Sequence, residues 1–170
     1  LMRSFVLNVA FVSATRRAQS MDTTCVAAAA YGIVMQIYSL GVVMHLGIQS
    51  TAAILVASRI GSDGVDEARN VADRIFGWGS LLGLLLGILQ IAALPIIVPL
   101  FSTLPEVREA VKGPAVISAF IHFLNGPIFA GEGILMGLQR FKALTVITAI
   151  GVSVMVGCLA SPMGKRLNGI

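Results

Sequence analysis

Residues 25–57 run for 33 positions without a charged side chain. A soluble domain has no place for such a run, whereas about 20 apolar residues suffice for a helix to cross the hydrocarbon of a bilayer. The pattern recurs along the chain. Residues 75–101 carry no charge and include a stretch of nearly pure Leu and Gly at 81–89, residues 113–137 hold a single charge, and residues 143–160 hold none. Residues 4–20 form a shorter apolar run interrupted by Arg16 and Arg17, whose long side chains can snorkel to an interface. Composition agrees. Apolar residues make up 56% and charged residues 12%, against about 45–50% and about 25% in soluble domains. Mean hydropathy is +0.90. A small soluble fold leaves too much surface in water to manage with so little charge, and a disordered chain is polar and highly charged. The expected fold class is all-α, a polytopic transmembrane bundle with about five membrane helices at 4–20, 25–57, 75–101, 110–137 and 143–160. A membrane β-barrel would show alternating segments of about ten residues instead.

The connections at 20–24, 58–74, 102–112 and 138–142 are short, so consecutive helices are expected to run antiparallel. The 58–74 connection holds the one soluble-looking stretch, SDGVDEARNVADR. It reads as a short amphipathic helix on the membrane surface. Ser62 or Asp63 is its candidate N-cap, and Asp66 and Glu67 favour its first turn. The net charge of +4 and the pI near 9.6 do not signal nucleic acid, because the basic residues cluster at the ends of apolar runs as interface anchors. One face of the bundle would collect Arg3, Arg59, Arg69, Arg74, Arg140 and Lys142, and the other Arg16, Arg17, Arg108, Lys112, Lys165 and Arg166. The faces balance at six each, and only with Lys165 and Arg166 of the 161–170 tail set aside does six against four favour a cytoplasmic 58–74 connection. The final segment, SPMGKRLNGI at 161–170, reads as a tail outside the bundle that need not be native sequence. The chain opens on Leu1 with no basic leader, apolar core and cleavage site in order. It reads as an internal piece of a longer product without a signal peptide.

Seven of the eight acidic residues lie in connections or at helix ends. Glu132 is the exception. A carboxyl at membrane depth is costly, faces a polar partner or a water-filled space, and marks a functional site by default. Ser118, His122, Asn125 and Glu132 fall within an arc of about 80° on one helical face. Pro127 stands in the same stretch, where it would kink the helix and free a carbonyl. A polar stripe beside a kink suggests a cavity. The functional expectation is that Glu132 takes up and releases a proton, or ligates Na⁺ together with Asn125. The alternative is a polar seam that only holds helices together, with Glu132 protonated and hydrogen-bonded. Tyr38, His45 and Gln49 form a weaker stripe on the second helix, lining the same cavity or bonding between helices. Gly79, Gly83 and Gly87 form GxxxGxxxG, which lets a neighbouring helix approach closely, and Gly131, Gly133 and Gly137 can serve the same end. Trp78 fits an interfacial anchor.

Cys25 and Cys158 lie far apart and read as buried free thiols. Both histidines stand alone in sequence, and no Cys/His cluster suggests a metal. GxxxxGK[ST], HExxH, GxSxG and a catalytic acid pair are absent from the sequence. The chain therefore does not read as an enzyme or as a primary pump, and no cofactor is expected beyond a coupling ion.

The order of these features resembles a known family. The stretch ILVASRIGSDGVDEARNVADRIFGWGSLLGLLLGIL is similar to the helix–"EAR" helix–helix region of multidrug and toxic compound extrusion (MATE) transporters. LNGPIFAGEGILMGLQRFKAL is similar to the tenth helix of their DinF-like branch, with an Asn, an apolar run, an acid–Gly motif and an aromatic-basic end. The resemblance covers most of residues 3–160. It implies that the chain corresponds to helices seven to eleven of twelve, most of the C-terminal bundle of a two-bundle transporter, whose N-terminal bundle would be the missing partner. It further implies a secondary active antiporter that exports organic, often cationic, solutes or xenobiotics in exchange for H⁺ or Na⁺ by alternating access. The branch's acidic residue maps onto Glu132 and a polar position before it onto Asn125. The chain departs from the family where Ala30-Tyr31-Gly32 replaces an Ala-His-Gln stretch, at Ala53 and Ala57, and at Arg16-Arg17. Two other expectations stand beside this one: a flippase for lipid-linked substrates from the same superfamily, and a non-transporting membrane scaffold or degenerate fragment. Substrate, coupling ion and host membrane are open at this point.

Overall fold

The computed structural model describes Arg16 and residues 24–160, without the side chains of 155, 156 and 158–160. Apart from Arg16, the expected first helix at 4–20 and the tail at 161–170 lie outside the described residues. Four helices follow in order: α1 (Val26–Ser62), α2 (Val65–Phe101), α3 (Pro105–Gly137) and α4 (Phe141–Ala160). No strand occurs among the described residues. The chain is an all-helical membrane bundle. At 37 residues each, α1 and α2 are about 55 Å long, well beyond the hydrocarbon thickness of about 30 Å, so they tilt or project into the interfaces. Three of the helices, α1, α2 and α3, have the length and apolarity to cross a membrane.

Two expected connections are largely helical. The amphipathic stretch after Ser62 is not a separate surface helix but the first turns of α2. Only Asp63 and Gly64 separate α1 from α2. The amides of Asp63 and Gly64 both donate to the Arg59 carbonyl, at 2.9 and 3.1 Å. Gly64 sits at φ 90°, ψ −176°, a region open to essentially no other residue. Once the chain has reversed there, no glycine or proline interrupts it until Gly77, and Asp66 and Glu67 favour the positive end of the new helix. The N-cap is Gly64, with no side-chain cap bond. Ser62 and Asp63, the expected caps, serve the end of α1 instead. Asp63 accepts from Arg59 at 2.6 Å and from Ser62 at 2.9 Å. At the far end, α3 begins earlier than the expected residue 110, with Pro105 in its first turn, where the missing amide costs nothing. The α3–α4 turn passes through Gln139 at φ 57°. Cys25 is free and exposed, not buried as expected, because it stands just outside α1 at φ 61°.

Packing makes α3 the centre. α1 and α2 both pack along it and touch each other, whereas α4 touches only α3 among the described residues. Gly41, Gln49 and Ala53 of α1 meet His122, Gly133 and Gly137 of α3 in ascending order, so those helices are parallel. α2 runs antiparallel to both. Large side chains point outwards: Leu81, Leu84, Leu85, Ile88 and Leu89 of α2 are exposed, while Gly79, Gly83, Gly87 and Gln90 on its other face are buried. That inversion suits lipid, which offers helices no hydrophobic reason to associate and leaves close packing and hydrogen bonds to hold them. The glycines supply the close packing. A Cβ on Gly83 would lie 2.5 Å from the His122 carbonyl oxygen and one on Gly87 2.7 Å from that of Ala119. The GxxxGxxxG stripe is therefore the α2–α3 contact. Gly133 and Gly137 do the same for α3 on α1, against the backbone of Gln49 and Ala53, whereas Gly131 faces open space. Trp78 is exposed on α2, one turn past Arg74.

Candidate functional site

Two apolar clusters cap a polar band. Ile33, Val34 and Ile37 of α1 pack with Val98 of α2 and Val107 and Val111 of α3 near one end. Ala52, Ile75 and Ala130 pack together toward the 63–64 turn. From the first cluster to the level of the second, the stripes of α1 and α3 lie against each other. Periodicity explains why: Tyr38, His45 and Gln49 recur at seven and four residues, and Ser118, His122 and Asn125 at four and three, so each set keeps to one face.

The stripes pair rung by rung. Asn125 Nδ2 donates to the Tyr38 hydroxyl at 2.7 Å. His45 Nε2 and His122 Nδ1 are 3.3 Å apart and share a hydrogen bond. Gln49 Nε2 donates to Glu132 Oε2 at 2.6 Å. Rings stack along the same line, with Tyr38 and His122 centroids 4.8 Å apart and His45 and Phe129 5.5 Å apart. Asn125, His45, His122, Gln49 and Ser118 are buried, and Glu132 and Tyr38 are half-buried. All seven sequence-predicted residues thus lie on the faces that meet. Ser118 forms a fourth rung, but toward α2. It accepts from Gln90 Nε2 at 2.5 Å and donates to the Ala115 carbonyl at 2.9 Å, and Gln90 Nε2 also reaches that carbonyl at 3.0 Å.

Gln90 is the residue that sequence reasoning misses. It belongs to no stripe, yet it is the one polar side chain in residues 81–101, and a lone amide in so apolar a run must find a partner on another helix. The arrangement presents one carboxyl, bonded to an amide, on a seam that also carries hydroxyl and imidazole groups. No group of three His, Cys, Asp or Glu that could hold a metal occurs among the described residues. Two cavities lie at the ends of the bundle. One, of about 340 Å³, has Arg108 and Lys112 in its wall, and the other, of about 290 Å³, has Arg69; neither is lined by the band. Outside the membrane, the Arg59 guanidinium bonded to Asp63 holds that carboxyl below its ordinary range, with Ser62 assisting.

The family model described as MatE matches residues 6–159. No curated protein and no solved structure matches the chain.

Proposed function

Because the chain belongs to the MatE family of membrane transporters, as an integral multi-pass membrane protein, we propose that it forms most of the C-terminal bundle of a secondary active exporter. It corresponds in this reading to helices seven to eleven of twelve, in the DinF-like branch. The protein would move organic, often cationic, solutes or xenobiotics outward in exchange for H⁺ or Na⁺ by alternating access, with an N-terminal bundle facing it across the transport cleft. Glu132 is the coupling carboxyl. Asn125, one polar rung away, serves the same ion, and Tyr38, His45, Gln49, Ser118 and His122 provide the polar wall.

One observation carries this reading: a half-buried carboxyl, bonded to Gln49 at 2.6 Å, stands on the α3 face turned to α1, at the level of the second apolar cluster. A carboxyl so placed is costly to maintain unless its change of charge, or its ion, is used. The Gln49 amide donates to Glu132, and loading Glu132 with H⁺ or Na⁺ competes with that bond. The ion and the α1–α3 contact are then linked, as alternating access requires.

The test is cation-driven efflux by the complete gene product in membrane vesicles. Glu132→Gln is expected to abolish efflux driven by an H⁺ or Na⁺ gradient while the protein still reaches the membrane at its normal level. Unchanged efflux would overturn the coupling role. A fall in abundance with efflux per molecule preserved would make Glu132 a structural residue.

A further inference from the structure

The histidine rung is not used by the coupling role of Glu132. His45 and His122 are 0% and 1% exposed, although each stands alone in the sequence. Two neutral imidazoles with Nε2 and Nδ1 at 3.3 Å share one hydrogen between them, one nitrogen donating and the other accepting. His45 Nδ1 is buried without a hydrogen-bond partner among the described residues. If His45 donates from Nε2, its Nδ1 is a bare acceptor. If His122 donates from Nδ1, His45 carries its own hydrogen on Nδ1 as an unmet donor. The first arrangement suits the closed packing better, because it buries an empty lone pair and not an unused N–H.

The next proton is the informative one. In the first arrangement it arrives from hydronium, forms a bond to His45 Nδ1 and releases water. His45 becomes an imidazolium whose Nε2–H donates a charge-assisted bond to neutral His122. A second proton would put two like charges a few ångströms apart, so the pair takes one. Among the described residues, the surroundings offer the new Nδ1–H nothing. Phe129 stacks on His45, Tyr38 stacks on His122, and Gly41 lies so close under the His122 ring that a Cβ there would overlap it. The Tyr38 hydroxyl already accepts from Asn125. From α2 the facing residue is Gly83, and no titratable group occurs on that helix between Arg74 and Phe101. Glu132 on α3 is engaged by Gln49. Among the described residues α4 touches only α3, and it carries no charged residue after Lys142.

We propose that His45 and His122 form a single-proton site, separate from Glu132, and that loading it parts α1 from α3 at this level and admits water to His45 Nδ1. The closed seam and the loaded pair exclude each other, since a buried cationic N–H without an acceptor is too costly to keep. Proton uptake therefore favours the open seam, and opening favours uptake, by equal amounts.

Nitrogen NMR of ¹⁵N-histidine-labelled protein in lipid vesicles tests this across a pH series, with His45→Gln and His122→Gln for assignment. At the alkaline end both imidazoles are neutral, with one hydrogen bond between them and no magnetisation transfer from water. On acidification one proton enters, both residues change in the same step, and water transfer to His45 appears with it. In His45→Gln, the remaining His122 titrates with a midpoint displaced by about one pH unit or more from that of the pair. Independent titration of the two residues, or loading without water contact, overturns the proposal, and the unmodified protein alone decides both. The same series in Glu132→Gln keeps the two ideas apart, because the histidine step persists there whether or not Glu132 couples transport.

Discussion

Gly83 offers the sharpest test of how α2 and α3 are held. A methyl group at this position would meet the His122 carbonyl oxygen at 2.5 Å and the Gly126 Cα and amide nitrogen at 3.0 Å. Every one of these atoms is backbone, so no side chain can swing aside. Ordinary contact begins at 3.4 Å, and the helices must separate by about 0.9 Å to reach it. A gap of that size forfeits a quarter to a half of the dispersion energy of the atoms along the seam. Overpacking of this kind costs about 1–3 kcal/mol. Alanine also gains about 1 kcal/mol in helix propensity over glycine, which would mask part of the loss. Gly77→Ala supplies the correction. Gly77 is on the same helix with nothing within 4 Å of its Cβ direction, so it receives the propensity gain alone. The stability difference between the two variants is then the packing term, about 1–3 kcal/mol in favour of Gly77→Ala. Reversible unfolding of the protein in mixed lipid–detergent micelles by added SDS measures it. Equal unfolding midpoints for the two variants would refute the close α2–α3 approach.

Three other outcomes are expected. Gly64→Ala places a Cβ at φ 90° and lowers stability by about 1–3 kcal/mol, read in the same SDS assay, whereas Gly61→Ala, in open space at the end of α1, has no such penalty. Tyr38→Phe and Asn125→Leu are coupled, since each removes one partner of the 2.7 Å bond; a double-mutant cycle is expected to give about 0.6 kcal/mol, the usual worth of an interhelical bond in a membrane, and a coupling of zero would remove that rung. Asp63 makes the turn pH-sensitive. Its carboxyl lies below the ordinary value of 3.8 in the folded state because Arg59 and Ser62 donate to it, so its contribution is complete above that value and is lost as pH falls through the depressed folded one. Asp63→Asn is therefore expected to flatten the acid limb of a stability–pH profile, with little change at neutral pH.

The polar faces of the bundle are legible in the sequence, and their pairing is not. Helical periodicity fixes the angular position of Ser118, His122, Asn125 and Glu132 on α3, and of Tyr38, His45 and Gln49 on α1. It says nothing about how far one helix slides along the other. That register comes from glycine. Gly133 against the Gln49 carbonyl and Gly126 against that of Gly79 set which residues stand opposite. Hence Asn125 bonds across to Tyr38 and Glu132 across to Gln49, pairings that periodicity alone does not give. Gln90 escapes notice for a related reason: a single amide has no period, and only the facing helix shows what it bonds. SDGVDEARNVADR is legible as a helix, but its charge makes it read as separate from the apolar run that follows, whereas α2 continues unbroken from Val65 into that run.

The two long contacts of α3 differ in kind, and the difference bears on movement. Against α2, α3 packs backbone to backbone through Gly79, Gly83, Gly87 and Gly126, so sliding or parting forfeits dispersion along several turns at once. Against α1, backbone approach is concentrated toward the 63–64 turn, at Gly133 and Gly137, with the Gln49 rung at the level of Gly133, and the remaining length is bridged by side chains, the rungs of Tyr38 and His45 and the apolar cluster around Ile33 and Val34. Interhelical bonds of that type average only about 0.6 kcal/mol each, and two of the three involve a group that can gain or lose a proton. A change of protonation at Glu132 or at the histidine pair is therefore comparable in size with the bonds it would break. It follows that α2 and α3 move as one body, and that α1 parts from them first in its upper half, hinged where Gly133 and Gly137 hold it. Distance measurements between spin labels at exposed Leu40 and Phe120, compared with labels at exposed Leu84 and Phe120, would then show broadening on acidification for the first pair and none for the second. Broadening in both would mean that the glycine contact is no more rigid than the rungs.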